Sequence, residues 1–184
     1  MRNRPVVPLA LAALVLAAPL HAQSSSSQNL SVTFGLGAAW GRVSCDVCQT
    51  ARDLGPSGFL RVSKALRPSV RVGGELTAWT HEVADVRENL GAAMGVLYLY
   101  PNDGPLYAKA GVGYVGYRAG DDISMNALGM QVGAGYELQL GSLALTNYVN
   151  LIGSSFASLK NESTTIADDV GSTLIQIGVG ITLR

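Results

Sequence analysis

The sequence predicts an all-β chain, in which eight antiparallel strands run up and down and close into a barrel. Three observations predict it. Apolar residues alternate strictly with small or polar ones over many stretches, the period of a strand with two unlike faces. The connections between these stretches alternate between tight and long. Glycine is unusually frequent, 22 of 184 residues, without the triplet of collagen or any low-complexity tract.

The first segment stands apart from the pattern. Arg2 and Arg4 precede the apolar run VVPLALAALVLAAPL, and LHAQ follows with the small Ala22. A basic start, a short apolar run and a small-residue end predict a secretory signal peptide over residues 1–22. The run is too short for a spanning helix, which needs ~20 apolar residues. Arg2 and Arg4 leave with it, so 11 of the 13 basic residues remain against 13 acidic ones, a net charge of −2. Such a balance offers nothing to a nucleic acid. Residues 23–29, including SSSSQN, read as a flexible lead-in, and 30–184 as the barrel domain.

The strands follow in order. In VTFGLGAAWG, Val32, Phe34, Leu36, Ala38 and Trp40 alternate with Thr33, Gly35, Gly37, Ala39 and Gly41. LYAKAGVGY sets Leu106, Ala108, Ala110, Val112 and Tyr114 against Tyr107, Lys109, Gly111 and Gly113. MQVGAGYELQL, from Met130 to Leu140, and IQIGVGITL, from Ile175 to Leu183, repeat the pattern. Less regular versions at 59–66, 70–80, 90–100 and 143–152 complete the eight. Tight turns are expected at 67–69, 101–105 and 141–142, where Pro, Gly, Asn or Asp is available. Longer polar loops are expected at 44–57, 81–88, 119–125 and 158–171. Short turns at one end, long loops at the other and an even strand count form the layout of a membrane barrel.

Two all-β arrangements compete for the faces. In a soluble sandwich or lipocalin-like barrel the apolar face is the core. In a membrane barrel that face meets lipid, and the glycine and polar face lines the interior. Several strands reach the ~9–11 residues that a tilted crossing needs. Charged residues make up only 14% of the chain, against ~25% in soluble domains. Both observations favour the membrane arrangement. Glycines then sit in the lumen, where a narrow barrel needs space opposite larger side chains.

Buried charges in such a lumen must be paired. Arg61 and Glu75 are symmetric about the 67–69 turn and are expected to face each other. Lys109 and Glu137 are symmetric about residue 123, within the third long loop, and are expected to form a second pair. With Arg71 they make a predicted lumen charge network. Aromatic residues at the lipid interfaces are expected to be Phe34, Tyr98, Tyr100 and Tyr136 toward the short-turn end, and Trp40 and Tyr114 toward the long-loop end.

At this point the chain resembles the bacterial outer-membrane β-barrel domain family, in its small eight-stranded form related to OmpA and OmpX. The stretches that carry the resemblance are AKAGVGY, MQVGAGYEL and the closing IQIGVGITL, with the signal peptide before them. The resemblance implies an outer-membrane location, a side-chain-filled barrel, insertion by the barrel-assembly machinery and no enzymatic activity. It also implies a structural, surface-contact or adhesion role for a monomer surrounded by outer-membrane lipids. A narrow channel is the main rival. Family barrels often close on an aromatic residue, whereas this chain closes on ITLR at Arg184.

Few other residues suggest chemistry. Cys45 and Cys48, in CDVC, are expected to form a local disulfide, the default for an exported protein. A zinc site would need further ligands, so neither metal nor cofactor is expected. His81 beside Glu82 reads as a surface histidine, since no spacing supplies a catalytic partner. Arg42, Arg52, Arg87, Arg118 and Lys160 gather near the acidic pairs Asp121–Asp122 and Asp168–Asp169. They read mainly as solvated loop charge, and in part as a rim for lipopolysaccharide phosphates.

Overall fold

The computed structural model describes residues 30–45, 51–120, 122–161 and 164–184, apart from the side chain of Phe156. The expected signal peptide and lead-in lie outside them. The strands are β1 Leu30–Ser44, β2 Asp53–Arg67, β3 Val70–Val83, β4 Val86–Leu99, β5 Leu106–Ala119, β6 Ile123–Leu140, β7 Leu143–Asn161 and β8 Thr164–Leu183. Each pairs antiparallel with the next, and β8 pairs with β1 to close the barrel. A short 3-10 turn, Pro101–Asp103, links β4 to β5.

The register fixes the shape. A path across directly paired residues leaves β1 at Trp40 and passes Ile175, Leu151, Val132, Ala110, Leu97, Val72 and Lys64. It returns to β1 at Leu30, ten residues further down the strand. With a rise of ~3.3 Å and a spacing of ~4.8 Å, this stagger tilts the strands by roughly 40°, the usual inclination of a membrane barrel. Every residue on that path points outward.

Phe34, Leu36, Val112, Met130, Val132, Val179 and Ile181 lie on the exposed outer face. The apolar face is therefore outside, which excludes a lipocalin-like arrangement. Inside, glycines make room for large partners. A Cβ on Gly41 would sit 2.7 Å from the Trp79 ring, and one on Gly35 would sit 2.3 Å from Phe59.

Three of the four expected long loops are largely strand. The β3–β4 connection is only Ala84 and Asp85, both at positive φ, the geometry of a tight hairpin turn. β5 ends at Ala119 and β6 begins at Ile123, with Gly120 at φ +60°. β7 and β8 run on to Asn161 and from Thr164. The physical reason is an inversion of polarity along the strands. Toward this end the outer face becomes polar, with Arg87, Arg118 and Asn126 exposed, while Tyr117, Met125, Leu159 and Val170 pack inside. Beyond the lipid the barrel buries an apolar core as a soluble sheet does, so its polar residues imitate loops. A register shift in β7 between Ser154 and Ala157 accompanies the change.

Candidate functional site

The inward face has two zones. Near the long-hairpin end it is an apolar core of Trp79, Leu90, Met94, Val115, Ile152 and Leu174. Near the short-turn end it is a buried network of charge and hydroxyl centred on Glu75.

Arg61 and Glu75 are direct cross-strand neighbours, with Arg61 Nε donating to Glu75 Oε2 at 3.1 Å. Tyr98 Oη donates to the same oxygen at 3.2 Å. Glu75 Oε1 accepts from Lys109 Nζ at 2.5 Å, Asn150 Nδ2 at 3.2 Å and Gln131 Nε2 at 3.3 Å. One carboxylate from β3 thus gathers donors from β2, β4, β5, β6 and β7. Arg61 Nη2 also donates to Tyr107 Oη at 3.1 Å, and its guanidinium lies 4.6 Å from the Tyr98 ring centre. Such a cluster is stable only when its lone pairs and protons find partners, and Glu75 is saturated.

Lys109 corrects one expectation. The β5–β6 hairpin is centred on residue 121, so Lys109 stands opposite Gly133, and its side chain crosses the lumen to Glu75. Glu137 takes other partners at the short-turn mouth. It accepts from Tyr100 Oη at 3.0 Å and from Arg184, and it lies 3.9 Å from Arg61 Nη1 and 4.0 Å from Arg71 Nη1. Arg71 also stacks on Tyr100, 4.9 Å from the ring centre. Arg184 was absent from the expected network. Its signal was parity: it continues the inward series Gln176, Gly178, Gly180 and Thr182.

The aromatic expectations divide. Phe34, Tyr114 and Tyr136 are exposed on the outer face and Trp40 is half-buried there. Tyr98 and Tyr100 are buried in the lumen, which corrects their expected place at the lipid interface. The cause is β4 itself, apolar on both faces from Leu90 to Tyr100, so that alternation alone does not say which side faces lipid.

At the opposite end, His81 stacks on Trp79 with ring centres 5.9 Å apart, and its Nε2 lies 3.9 Å from Asp53 Oδ1. Cys45 is disulfide-bonded, while Cys48 lies outside the described residues, as does Asp121. Of the other expected rim residues, Arg87 meets Glu82 at 3.6 Å and Ser158 donates to Asp168 at 2.7 Å. Among the described residues no group of three or more His, Cys, Asp or Glu side chains is placed to hold a metal ion.

A closed, tilted eight-stranded barrel with an apolar outer belt and a charged lumen is a transmembrane β-barrel. The chain belongs to the outer membrane protein beta-barrel domain family, whose profile matches residues 10–182, and its place is the bacterial outer membrane. Among solved structures it is similar to Ail, the attachment invasion locus protein of Yersinia pestis. That match has 12% identity and a TM-score of 0.59, covering 84% of this chain and 99% of that one. Ail in complex with the heparin analogue sucrose octasulfate matches at 14% identity and a TM-score of 0.50, over 84% and 99% of the two chains. Neisserial surface protein A matches at 14% identity and a TM-score of 0.54, over 84% and 96%. These likenesses are likenesses of fold. No curated protein matches the chain by sequence.

Proposed function

We propose that the protein is a non-enzymatic, monomeric barrel with a closed interior, which presents its extended hairpins to the cell exterior as a contact or adhesion surface. The observation that carries the closed interior is Glu75, whose carboxylate takes donors from five other strands. A solute path would have to break several of these bonds at once. The contact surface is supported by the strands themselves, since rigid sheet beyond the lipid belt holds a binding face in place better than long loops do. Attachment is what the name of Ail describes, and this chain shares its fold. The rim cations Arg52, Arg87, Arg118 and Lys160 would meet anionic lipopolysaccharide, and the barrel-assembly machinery would insert the chain.

The narrow channel retains one supporting observation. Gln131 Oε1, Asn150 Oδ1 and Gln176 Oε1 are buried without hydrogen-bond partners among the described residues, and water could satisfy them. Planar-bilayer recording of the purified barrel decides between the two. A silent membrane is expected, and stable single-channel steps would overturn the closed interior. Binding of bacteria carrying the protein to host-cell and bacterial surfaces, compared with a strain lacking it, tests the contact role.

A further inference from the structure

The six charges of the lumen network do not balance. The side chains of Arg61, Lys109, Glu75 and Glu137 are at most 2% exposed and cancel as two cations against two carboxylates. Arg71 and Arg184 come in addition, at 17% and 29%. Both approach one atom. Glu137 Oε1 accepts from Tyr100 Oη at 3.0 Å and faces Arg61, while Oε2 meets Arg184 and lies 4.0 Å from Arg71 Nη1. That last approach is too long for a hydrogen bond, and the Arg71 guanidinium otherwise lies over the Tyr100 ring. Two guanidiniums of like charge therefore stand beside a single oxygen whose charge the buried cations already match. A second anion between them would satisfy both.

The two arginines reach a cavity. A pocket of about 420 Å³ lies where the β2–β3 turn, the β4–β5 connection, β6 and the end of β8 meet. Arg71, Arg184, Glu137 and Asp103 line it, with Pro68 and Pro105 as apolar walls. Its volume falls within the ~300–1,000 Å³ of sites that take small molecules. Backbone bonds hold the walls in place. Tyr100 N donates to Ser69 O and Glu137 N donates to Pro105 O, both at 2.8 Å, so each connection is tied to a neighbouring strand. Asp103 stands at positive φ in the 3-10 turn and is exposed. The ion pairs of both arginines go to Glu137 and not to Asp103.

We propose that this pocket binds a soluble phosphate monoester, with the phosphoryl group between Arg71 and Arg184 and the organic part against the proline walls. A guanidinium presents its donors in a fork that suits phosphate oxygens. A phosphate monoester carries nearly two negative charges at neutral pH, which is the charge the two arginines leave unmatched. A carboxylate or a phosphodiester brings only one. The short-turn mouth opens on the periplasm, so the ligand arrives without crossing the barrel. The site depends on outer-membrane orientation and not on the attachment role or on a closed lumen.

Isothermal titration calorimetry of the full-length barrel in phosphatidylcholine nanodiscs tests the site. Glycerol 3-phosphate is the probe, and acetate and the short-chain lipid dihexanoyl phosphatidylglycerol are the comparisons. Arg71→Gln and Arg184→Gln each remove one fork, and Asp103→Asn removes the exposed carboxylate from the wall. Heat-dependent gel mobility checks the folding of each variant. We expect glycerol 3-phosphate to bind wild type more tightly than either comparison, and each arginine variant to lose about tenfold, the equivalent of one charged hydrogen bond. Asp103→Asn should gain about twofold, the scale of one exposed charge interaction, and loss of structure cannot imitate a gain. No binding of glycerol 3-phosphate by folded wild type, or binding within twofold of wild type by both arginine variants, overturns the site. Acetate bound as tightly as glycerol 3-phosphate overturns the choice of phosphate. Tighter binding of dihexanoyl phosphatidylglycerol overturns the soluble ligand and gives the pocket to a lipid headgroup.

Discussion

Lys109 Nζ lies 2.5 Å from Glu75 Oε1, although the two residues stand two strands apart and neither is the other's cross-strand partner. The contact spans the lumen. It is possible because the inward position opposite Lys109 is Gly133, where a Cβ would come within 2.9 Å of the lysine's own Cε. Glycine spacing and charge pairing are thus one device, in which an empty position on β6 lets a cation reach across to β3.

A double-mutant cycle separates this pairing from the one that hairpin symmetry suggests. We expect Lys109→Met and Glu75→Gln to couple by ~1–3 kcal/mol, as residues in one buried network do. Lys109→Met with Glu137→Gln should be additive within ~0.5 kcal/mol. Urea unfolding of the barrel in lipid vesicles reads both. Stronger coupling to Glu137 would place Lys109 at the other carboxylate.

Tyr98 and Tyr136 test the two faces of the wall. Tyr98 is fully buried and donates to Glu75, whereas Tyr136 is exposed on the outer face. Tyr98→Ala should cost ~3–5 kcal/mol, as loss of a buried aromatic does. Tyr136→Ala should cost about 1 kcal/mol, an ordinary substitution. Equal losses in the same unfolding assay would return Tyr98 to the lipid interface.

The sequence made the barrel legible wherever the two faces differ in chemistry. β1, β5, β6 and β8 each show an apolar outer series against glycine and polar residues, and the Arg61–Glu75 neighbourhood needed only the position of a tight turn. Legibility failed where both faces were apolar, as in β4, and where the outer face met water, as beyond Asn126 and Arg118. Cross-lumen contacts were hidden for another reason. Hairpin symmetry reports neighbours on adjacent strands, whereas Lys109 with Glu75 and Arg184 with Glu137 depend on barrel closure and stagger.

Gly41 shows how a lumen glycine can be tested as space. The three atoms nearest a Cβ there all belong to the Trp79 ring, at 2.7–2.9 Å. Gly41→Ala should therefore destabilise by ~1–3 kcal/mol through overpacking, and a smaller Trp79→Leu in the same chain should remove much of that increment. At Gly37 the nearest atom is the backbone oxygen of Ile177, at 2.0 Å, so Gly37→Ala should find no such rescue. A Gly41→Ala loss that persists unchanged beside Trp79→Leu would mean that the ring is not what the methyl meets.

The apolar core beyond the lipid belt gives the sharpest test of the extended hairpins. Met125 and Leu159 lie in stretches polar enough to pass for loop, yet both are buried inside the barrel. An aspartate there would be a charge in an apolar core without a partner, so Met125→Asp and Leu159→Asp should each cost more than ~3 kcal/mol. Asn126, the next residue along β6, points outward into water, and Asn126→Asp should stay within ~0.5 kcal/mol. Mobile loops would tolerate all three changes alike. A large difference between adjacent positions 125 and 126 requires a strand with a buried face, and that rigidity is what would let the hairpins present a fixed contact surface.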